Sequence, residues 1–227
     1  MKKTLFACLS AGLLVVSCSK SGGEDNNSST PSYLNTKTGS TWNYENIDNT
    51  NPSAPADEYV LTSTSRDTTV SGKTYHIYSD DAGASVYQGK SGNDYSAFEA
   101  LPDELGGSLV DNIYLKAAVA TNSSWEQSYP LSVSGIPVTA KITQRIVEKG
   151  LAKTVNGHAY SSVIHVKTDI ALTGLPAGLV TFSTDIHSYY APDYGMIQRD
   201  ARIDYTVTGS PTETSNTTTR LKTATLL

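Results

Sequence analysis

The side chains best suited to acid–base chemistry near neutral pH are the four histidines, His76, His158, His165 and His187. Asp185 and His187 stand two residues apart, so on a strand they share a face and the carboxylate can orient the imidazole. A hydrolase built on that pair also needs a nucleophile. The sequence has no G-x-S-x-G elbow, since Ser91 sits in the turn-like stretch Gly89–Asn93. His158 and His165 are seven apart, which puts them on opposite faces of a continuous strand and away from a shared metal. Asp80-Asp81-Ala82-Gly83 sets two acids before a glycine but lacks the later acidic ligands of a calcium loop. Metalloprotease, phosphate-loop and dinucleotide signatures are absent. The sequence therefore predicts no cofactor, no metal ligand and no catalytic residue, with Asp185 and His187 as the only nominees for a hydrolase.

Tyrosine dominates the remaining chemistry, at 14 residues against 2 Trp and 3 Phe. A phenol offers apolar area with a polar tip, which suits the rim of a ligand cavity or a glycan platform. Tyr189, Tyr190 and Tyr194 around Pro192 form the densest cluster. With Trp42 they are the predicted ligand-facing residues.

Period-two alternation runs through the body of the chain, so strands must position these residues. Trp42 and Tyr44 share a face, as do Tyr75 and Ile77. Val138, Ala140, Ile142 and Ile146 alternate with Thr139, Lys141, Thr143 and Arg145. Ile164, Val166, Ile170 and Leu172 alternate with His165, Lys167 and Asp169, and Ile203, Tyr205 and Val207 close the series. One apolar and one polar face per strand is the pattern of antiparallel sheet. Ser and Thr together make 56 of 227 residues, and charged residues only 17%, which favours strands over long helices. Ser71-Gly72 and Asn156-Gly157 are two-residue hairpin signals. Gly89–Asn93 is read as a loop joining Ser85–Gln88 to Asp94–Phe98, and Asn49–Asp57 as another. Leu105, Leu109, Ile113 and Ala117, spaced by four, admit a short helix within Leu101–Ala120. The expected fold is all-β: a single curved antiparallel sheet or half-barrel, with a closed lipocalin-like barrel or a β-sandwich as alternatives and at most one or two short helices.

Before that body, Lys2 and Lys3 precede an apolar run from Leu5 to Val16, too short for a membrane span of ~20 residues and built like an export signal. It ends in Val15-Val16-Ser17-Cys18, which resembles the bacterial lipobox and implies a lipidated Cys18 as the new first residue. Residues 1–17 are thus a predicted signal peptide, 18–32 a flexible Gly/Ser/Asn tether and 33–227 one β domain. Losing Lys2 and Lys3 with no acid moves the net charge from −5 to −7, which excludes a nucleic-acid partner and leaves acyl chains as the bond to the membrane. Ser19 after the cysteine points to the outer membrane, on its periplasmic face or the cell surface.

Thr69–Tyr75 and Thr154–Tyr160 both read T-V-x-G-x-x-Y, 85 residues apart, and Trp42 and Trp125 lie 83 apart. Those offsets suggest two related β units, about 39–100 and 121–200. The order G-x-x-W-x-Y (Gly39–Tyr44), V-x-G-K-x-Y (Val70–Tyr75) and Tyr190-Ala191-Pro192-x-x-Gly195-x-Ile197 resembles uncharacterised Bacteroidetes lipoproteins. The last segment is similar to one in lipoprotein-carrier-like half-barrels. The resemblance implies an envelope lipoprotein with an apolar concave face that binds a hydrophobic small molecule or partner segment without catalysis. A surface glycan- or protein-binding module is the alternative. If Cys18 carries the anchor, cells fed an alkyne-tagged palmitate analogue label the wild-type chain, whereas Cys18→Ala abolishes the label and releases the protein from membranes. Equal labelling of the two would rule Cys18 out.

Overall fold

The computed structural model describes residues 31–101, 109–133, 136–176 and 178–227; the predicted signal peptide and Cys18, with the tether up to Thr30, lie outside them. The described chain forms strands β1 (Thr41–Asp48), β2 (Asp57–Val70), β3 (Lys73–Asp80), β4 (Ser85–Ser91), β5 (Asp94–Ala100) and β6 (Leu109–Lys116). They are followed by β7 (Ser124–Val133), β8 (Ile136–Val155), β9 (His158–Thr173), β10 (Val180–Ala191), β11 (Gly195–Val207) and β12 (Glu213–Thr225). All lie in one antiparallel sheet of order β6-β5-β4-β3-β2-β1-β12-β11-β10-β9-β8-β7. Every neighbour is joined by a hairpin except β1 and β12, which pair from Thr41↔Thr225 to Asp48↔Thr217. The sheet curls until its two edges, β6 and β7, meet. The fold is thus the expected curved all-β sheet, taken to a nearly closed barrel.

Turn chemistry acts where the sequence placed it. Ser71 and Gly72 have φ of 50° and 80°, and Asn156 and Gly157 have 48° and 79°. Two successive positive φ values define the type I′ turn, whose twist matches a right-handed strand pair. The Gly89–Asn93 loop is shorter than its composition suggests, because Gly89 to Ser91 belong to β4. Gly89 is there for space: a Cβ on it would come within 2.8 Å of the Thr74 carbonyl oxygen on the next strand. The helical spacing is also overruled where it is described. Leu109 and Ile113 lie on β6, which pairs with β5 from Ala100↔Leu109 to Asp94↔Lys116. Ladder bonding along a whole strand outweighs four apolar residues at helical spacing; residues 102–108 lie outside the described chain.

The matching passages recur at a fixed interval in strand order, although β1 lies mid-sheet and β7 at the sheet's edge. Trp42 is on β1 and Trp125 on β7, and the two T-V-x-G-x-x-Y stretches form the β2–β3 and β8–β9 hairpins, each pair six strands apart.

The seam between β6 and β7 is closed by side chains. Alternate residues of β7 reach the backbone of β6: Trp125 Nε1 donates to the Ile113 carbonyl at 2.8 Å, and Tyr129 Oη to the Asp111 carbonyl at 2.7 Å. Between them the Gln127 amide donates to the Asp111 carbonyl at 3.0 Å and accepts the Ile113 N–H at 2.7 Å. That amide stands where a neighbouring strand's peptide group would be.

Near the start of β1, residues 31–40 cross the barrel. Tyr33 N–H donates to Tyr95 Oη at 3.1 Å and Tyr33 Oη to the Ser162 carbonyl at 3.0 Å, which ties the segment to β5 and β9. Asp193 N–H donates to the Ser32 carbonyl at 2.7 Å. Three register shifts along β8 and β9 bend their long hairpin, so that Val155 and Tyr160 pack with Trp42, Tyr44 and Leu221 of β1 and β12.

The outer face carries charge pairs, Glu126–Lys141, Glu45–Arg220 and Glu58–Lys222 across strands and Arg202–Asp204 along β11. A membrane-embedded barrel presents an apolar band instead. This outer face suits water.

Replacing Gln127 with Ala strands the Ile113 N–H and weakens the hold on Asp111, so it costs about 1–3 kcal/mol. Urea unfolding should show that loss, with hydrogen exchange of Ile113 accelerating ahead of the β1–β12 ladder. Unchanged stability and exchange would mean the seam is held elsewhere.

Candidate functional site

Inward-facing side chains leave a cavity of about 520 Å³ inside the barrel. That volume lies within the ~300–1,000 Å³ of small-molecule sites. Its aromatic wall is arranged in pairs. Trp42 meets Tyr78 edge-on at 5.6 Å, Tyr44 stacks on Tyr59 at 5.3 Å, and Tyr114 stacks on Tyr190 at 5.2 Å across the barrel. The Tyr44 hydroxyl donates to the Met196 carbonyl and the Tyr78 hydroxyl to the Asn35 carbonyl, both at 2.7 Å, which anchors these rings.

A polar row crosses the same interior. Asn112 Nδ2 donates to Glu99 Oε1 at 2.7 Å, and Gln144 Nε2 donates to Asn112 Oδ1 at 2.9 Å, joining β5, β6 and β8 behind the seam. Gln144 is 1% exposed and its Oε1 has no hydrogen-bond partner among the described residues; neither do Trp42 Nε1 and Arg199 Nε. All three side chains belong to the cavity wall. The concave face is therefore amphipathic, where an apolar one was expected.

Of the four predicted ligand residues, Trp42, Tyr190 and Tyr194 line the cavity. Tyr189 does not. Adjacent residues on a strand face opposite ways, so with Tyr190 inside, Tyr189 faces out. There it stacks on His165 at 4.4 Å, under the Lys153 ammonium 3.7 Å from its ring centre. Sequence reasoning missed Gln144, Asn112, Glu99 and Arg199. For Gln144 a signal existed: it holds an inward position between Ile142 and Ile146, a polar interruption in an apolar run.

The hydrolase nominees sit on the outer face. His187 Nε2 is 3.0 Å from Asp185 Oδ1, and His187 Nδ1 is 2.8 Å from His165 Nε2. Both imidazole nitrogens of His187 are engaged, so none is left to activate a nucleophile. Burial, and then the neighbouring His187 charge, holds His165 below the usual histidine range.

A second cluster has the distances of a serine triad. Ser63 Oγ is 2.8 Å from His76 Nε2, and His76 Nδ1 is 2.7 Å from Asp67 Oδ1. Its accessibility is inverted, however: Ser63 is 1% exposed while the Asp67 side chain is 62% exposed. A nucleophile must reach substrate, and this hydroxyl does not. The imidazole instead ties together the two ends of the bulge between Ser63 and Asp67 on β2.

Fold and site together define a twelve-stranded antiparallel barrel, seamed along one edge, around an internal amphipathic cavity. Two crystal structures are similar to this chain in fold. One is a "putative lipoprotein" from Parabacteroides distasonis, at TM-score 0.52 and 11% identity, covering 86% of this chain and 99% of that one. The other is a "putative exported protein with YmcC-like fold" from Bacteroides fragilis, at TM-score 0.50 and 10% identity, covering 86% and 100%. The likeness is one of fold. No protein-family model and no curated protein matches the sequence.

Burial shifts the cavity phenols. Desolvation first, then neighbouring phenols, pushes Tyr44 and Tyr114 well up, and desolvation raises Tyr190 to about 12. A raised folded-state value means stability that is complete below the ordinary tyrosine value of 10.0 and is lost as the pH climbs towards about 12. In that window tyrosinate absorbance and loss of strand circular dichroism should rise together. Ionisation of all the phenols near pH 10 with the barrel intact would show that the interior phenols are not desolvated.

Proposed function

We propose that this chain is a lipid-anchored envelope protein that holds a small molecule inside its barrel, as a carrier or receptor and not as an enzyme. The cavity carries the reading: it is walled by inward side chains from ten strands and pairs aromatic surface with a few convergent polar groups. Side chains that only had to fill space would have closed it.

Location rests on other support. The Cys18 sequence resembles a lipidation site, and the shared fold occurs in proteins described as a lipoprotein and an exported protein. Anchorage at the outer membrane fits Ser19 after the cysteine. The alternative of an exposed aromatic platform has less support, because Trp42 is 4% exposed and the large exposed hydrophobics among the described residues are Leu109, Val207 and Leu227, none of them aromatic.

Native mass spectrometry of the protein purified from its own envelope in detergent is the direct test. A mass adduct that vanishes on denaturation is expected. Ala97 lines the cavity, so Ala97→Phe should fill it and remove the adduct, at a stability cost of about 1–3 kcal/mol. An adduct that survives Ala97→Phe would place the ligand elsewhere. A clean mass from wild type, with no probe taken up, would end the carrier reading.

A further inference from the structure

We propose that His165 and His187 form an acid-sensitive fastening between β9 and β10. It holds the strands while the two rings share one hydrogen and lets go when each ring takes up its own.

The hydrogen-bond partners fix where the hydrogens sit. The Asp185 carboxylate only accepts, so His187 Nε2, 3.0 Å from its Oδ1, carries a hydrogen. Nδ1 of a neutral His187 is then an acceptor, and His165 Nε2 donates to it at 2.8 Å. His165 Nδ1 is left bare, and it is buried with no hydrogen-bond partner among the described residues. It faces Glu148 Oε2 at 3.6 Å, so a first added proton has a nitrogen to occupy and a carboxylate to meet. A second proton on the pair must go to His187 Nδ1. That nitrogen accepts the bond between the rings, so the bond breaks and two imidazolium charges are left with ring centres 5.0 Å apart.

The surrounding charges leave that repulsion standing. On the outer face β8 presents Arg145, Glu148 and Lys153, β9 adds Lys167 and Asp169, β10 adds Asp185 and Tyr189, and β11 adds Asp200 and Arg202. Lys167 lies between Asp169 and Asp185, at 3.2 and 3.7 Å, and Arg202 is paired with Asp204. Asp200 accepts hydrogen bonds from Gln198 and Thr218. Glu148 and Asp185 are the carboxylates at the pair, and both side chains are more than half exposed, so water weakens their pull. Lys153 adds positive charge over the Tyr189 ring on which His165 stacks. Burial first, and then the His187 charge, hold His165 below the usual histidine value of 6.5. Stability of this kind is complete above that value and is lost as the pH falls below it.

The pair stands on a short stretch of wall. Among the described residues β9 and β10 pair from Ile186↔Thr168 to Tyr190↔Ile164, a shorter ladder than either strand makes on its other side. Beyond it a side chain takes over, with Ile170 N–H donating to Thr184 Oγ1 at 2.9 Å. The inner side of the ladder carries Thr168, Ile186, Ser188 and Tyr190 of the cavity wall. Acid therefore loosens the wall along this line, whether the cavity is empty or filled.

The test uses the full chain in detergent micelles. Nitrogen NMR of the imidazoles should show a coupling between His165 Nε2 and His187 Nδ1 at about pH 7.5 that disappears by about pH 4.5. Over that range amide exchange in residues 164–168 and 186–190, corrected for its intrinsic pH dependence, should rise about tenfold relative to the β1–β12 ladder, the effect of one lost hydrogen bond. His165→Phe keeps a ring on Tyr189 and removes the shared hydrogen, so the rise should vanish. His158→Gln, at the other end of β9, should leave the rise intact. Absence of the coupling at about pH 7.5, or its survival at about pH 4.5, would overturn the proposal even if His165→Phe does not fold. So would exchange that stays level, that rises equally in the β1–β12 ladder, or that rises as much in His165→Phe.

Discussion

A twelve-stranded sheet has two edges, and the interior exists only because those edges are brought together. Here a single side-chain amide does what a ladder would do: Gln127 offers an oxygen and an N–H to the backbone of the opposite edge strand. Trp125 and Tyr129 hold the same strand from either side. Behind them Asn112 and Gln144 bridge β6 to β8 inside the barrel. An unpaired edge would expose its backbone groups to another chain. With the seam shut, the Asp111 and Ile113 backbone groups of β6 are bonded and inward side chains from the two ends of the sheet face each other.

Closure at twelve strands sets the scale of the interior. About eight strands make a barrel that side chains can fill, and sixteen or more leave a channel. Twelve lies between, and aromatic pairs occupy part of the space while a cavity remains. Burying one large apolar side chain contributes about 1.5–3 kcal/mol, against about 0–1 kcal/mol for an exposed ion pair. Clusters such as Tyr95, Leu115, Ile146 and Ile164 therefore carry the stability, and the charge pairs outside keep that surface in water. The long β8–β9 hairpin and residues 31–40 add two further layers of contact near the start of β1.

That arrangement gives the functional reading a physical form. Residues 31–40 are strapped to the barrel by Tyr33, whose N–H and hydroxyl bond to β5 and β9. The cavity wall is rigid where it is polar, because its amides are hydrogen-bonded in series. It is smooth where it is aromatic. Histidine geometry, by contrast, is structural in both places where it looks catalytic: one cluster has no free ring nitrogen on His187 and the other buries its hydroxyl.

Much of the fold was legible in the sequence, and the reason is local. Alternation with period two exposes one face and buries the other, so strands β1, β8 and β9 could be read directly. Ser71-Gly72 and Asn156-Gly157 could be read as turns because positive φ restricts residue choice at those points. Trp42 and Tyr190 were legible as inward residues for the same reason, and Tyr189 went astray because a cluster in sequence splits across two faces of a strand. The seam was not legible, since it depends on which strand is left last in a circle of twelve. Nor was the polar row: Glu99 and Asn112 meet across the paired strands β5 and β6, but Gln144 lies on β8 beyond the seam, and only closure brings it to Asn112. By itself the sequence determined strands, turns and the export-like leader, which depend on neighbouring residues. The tertiary structure alone decided the closure, the cavity and the groups that meet in it, because these depend on how far the sheet bends before its edges touch.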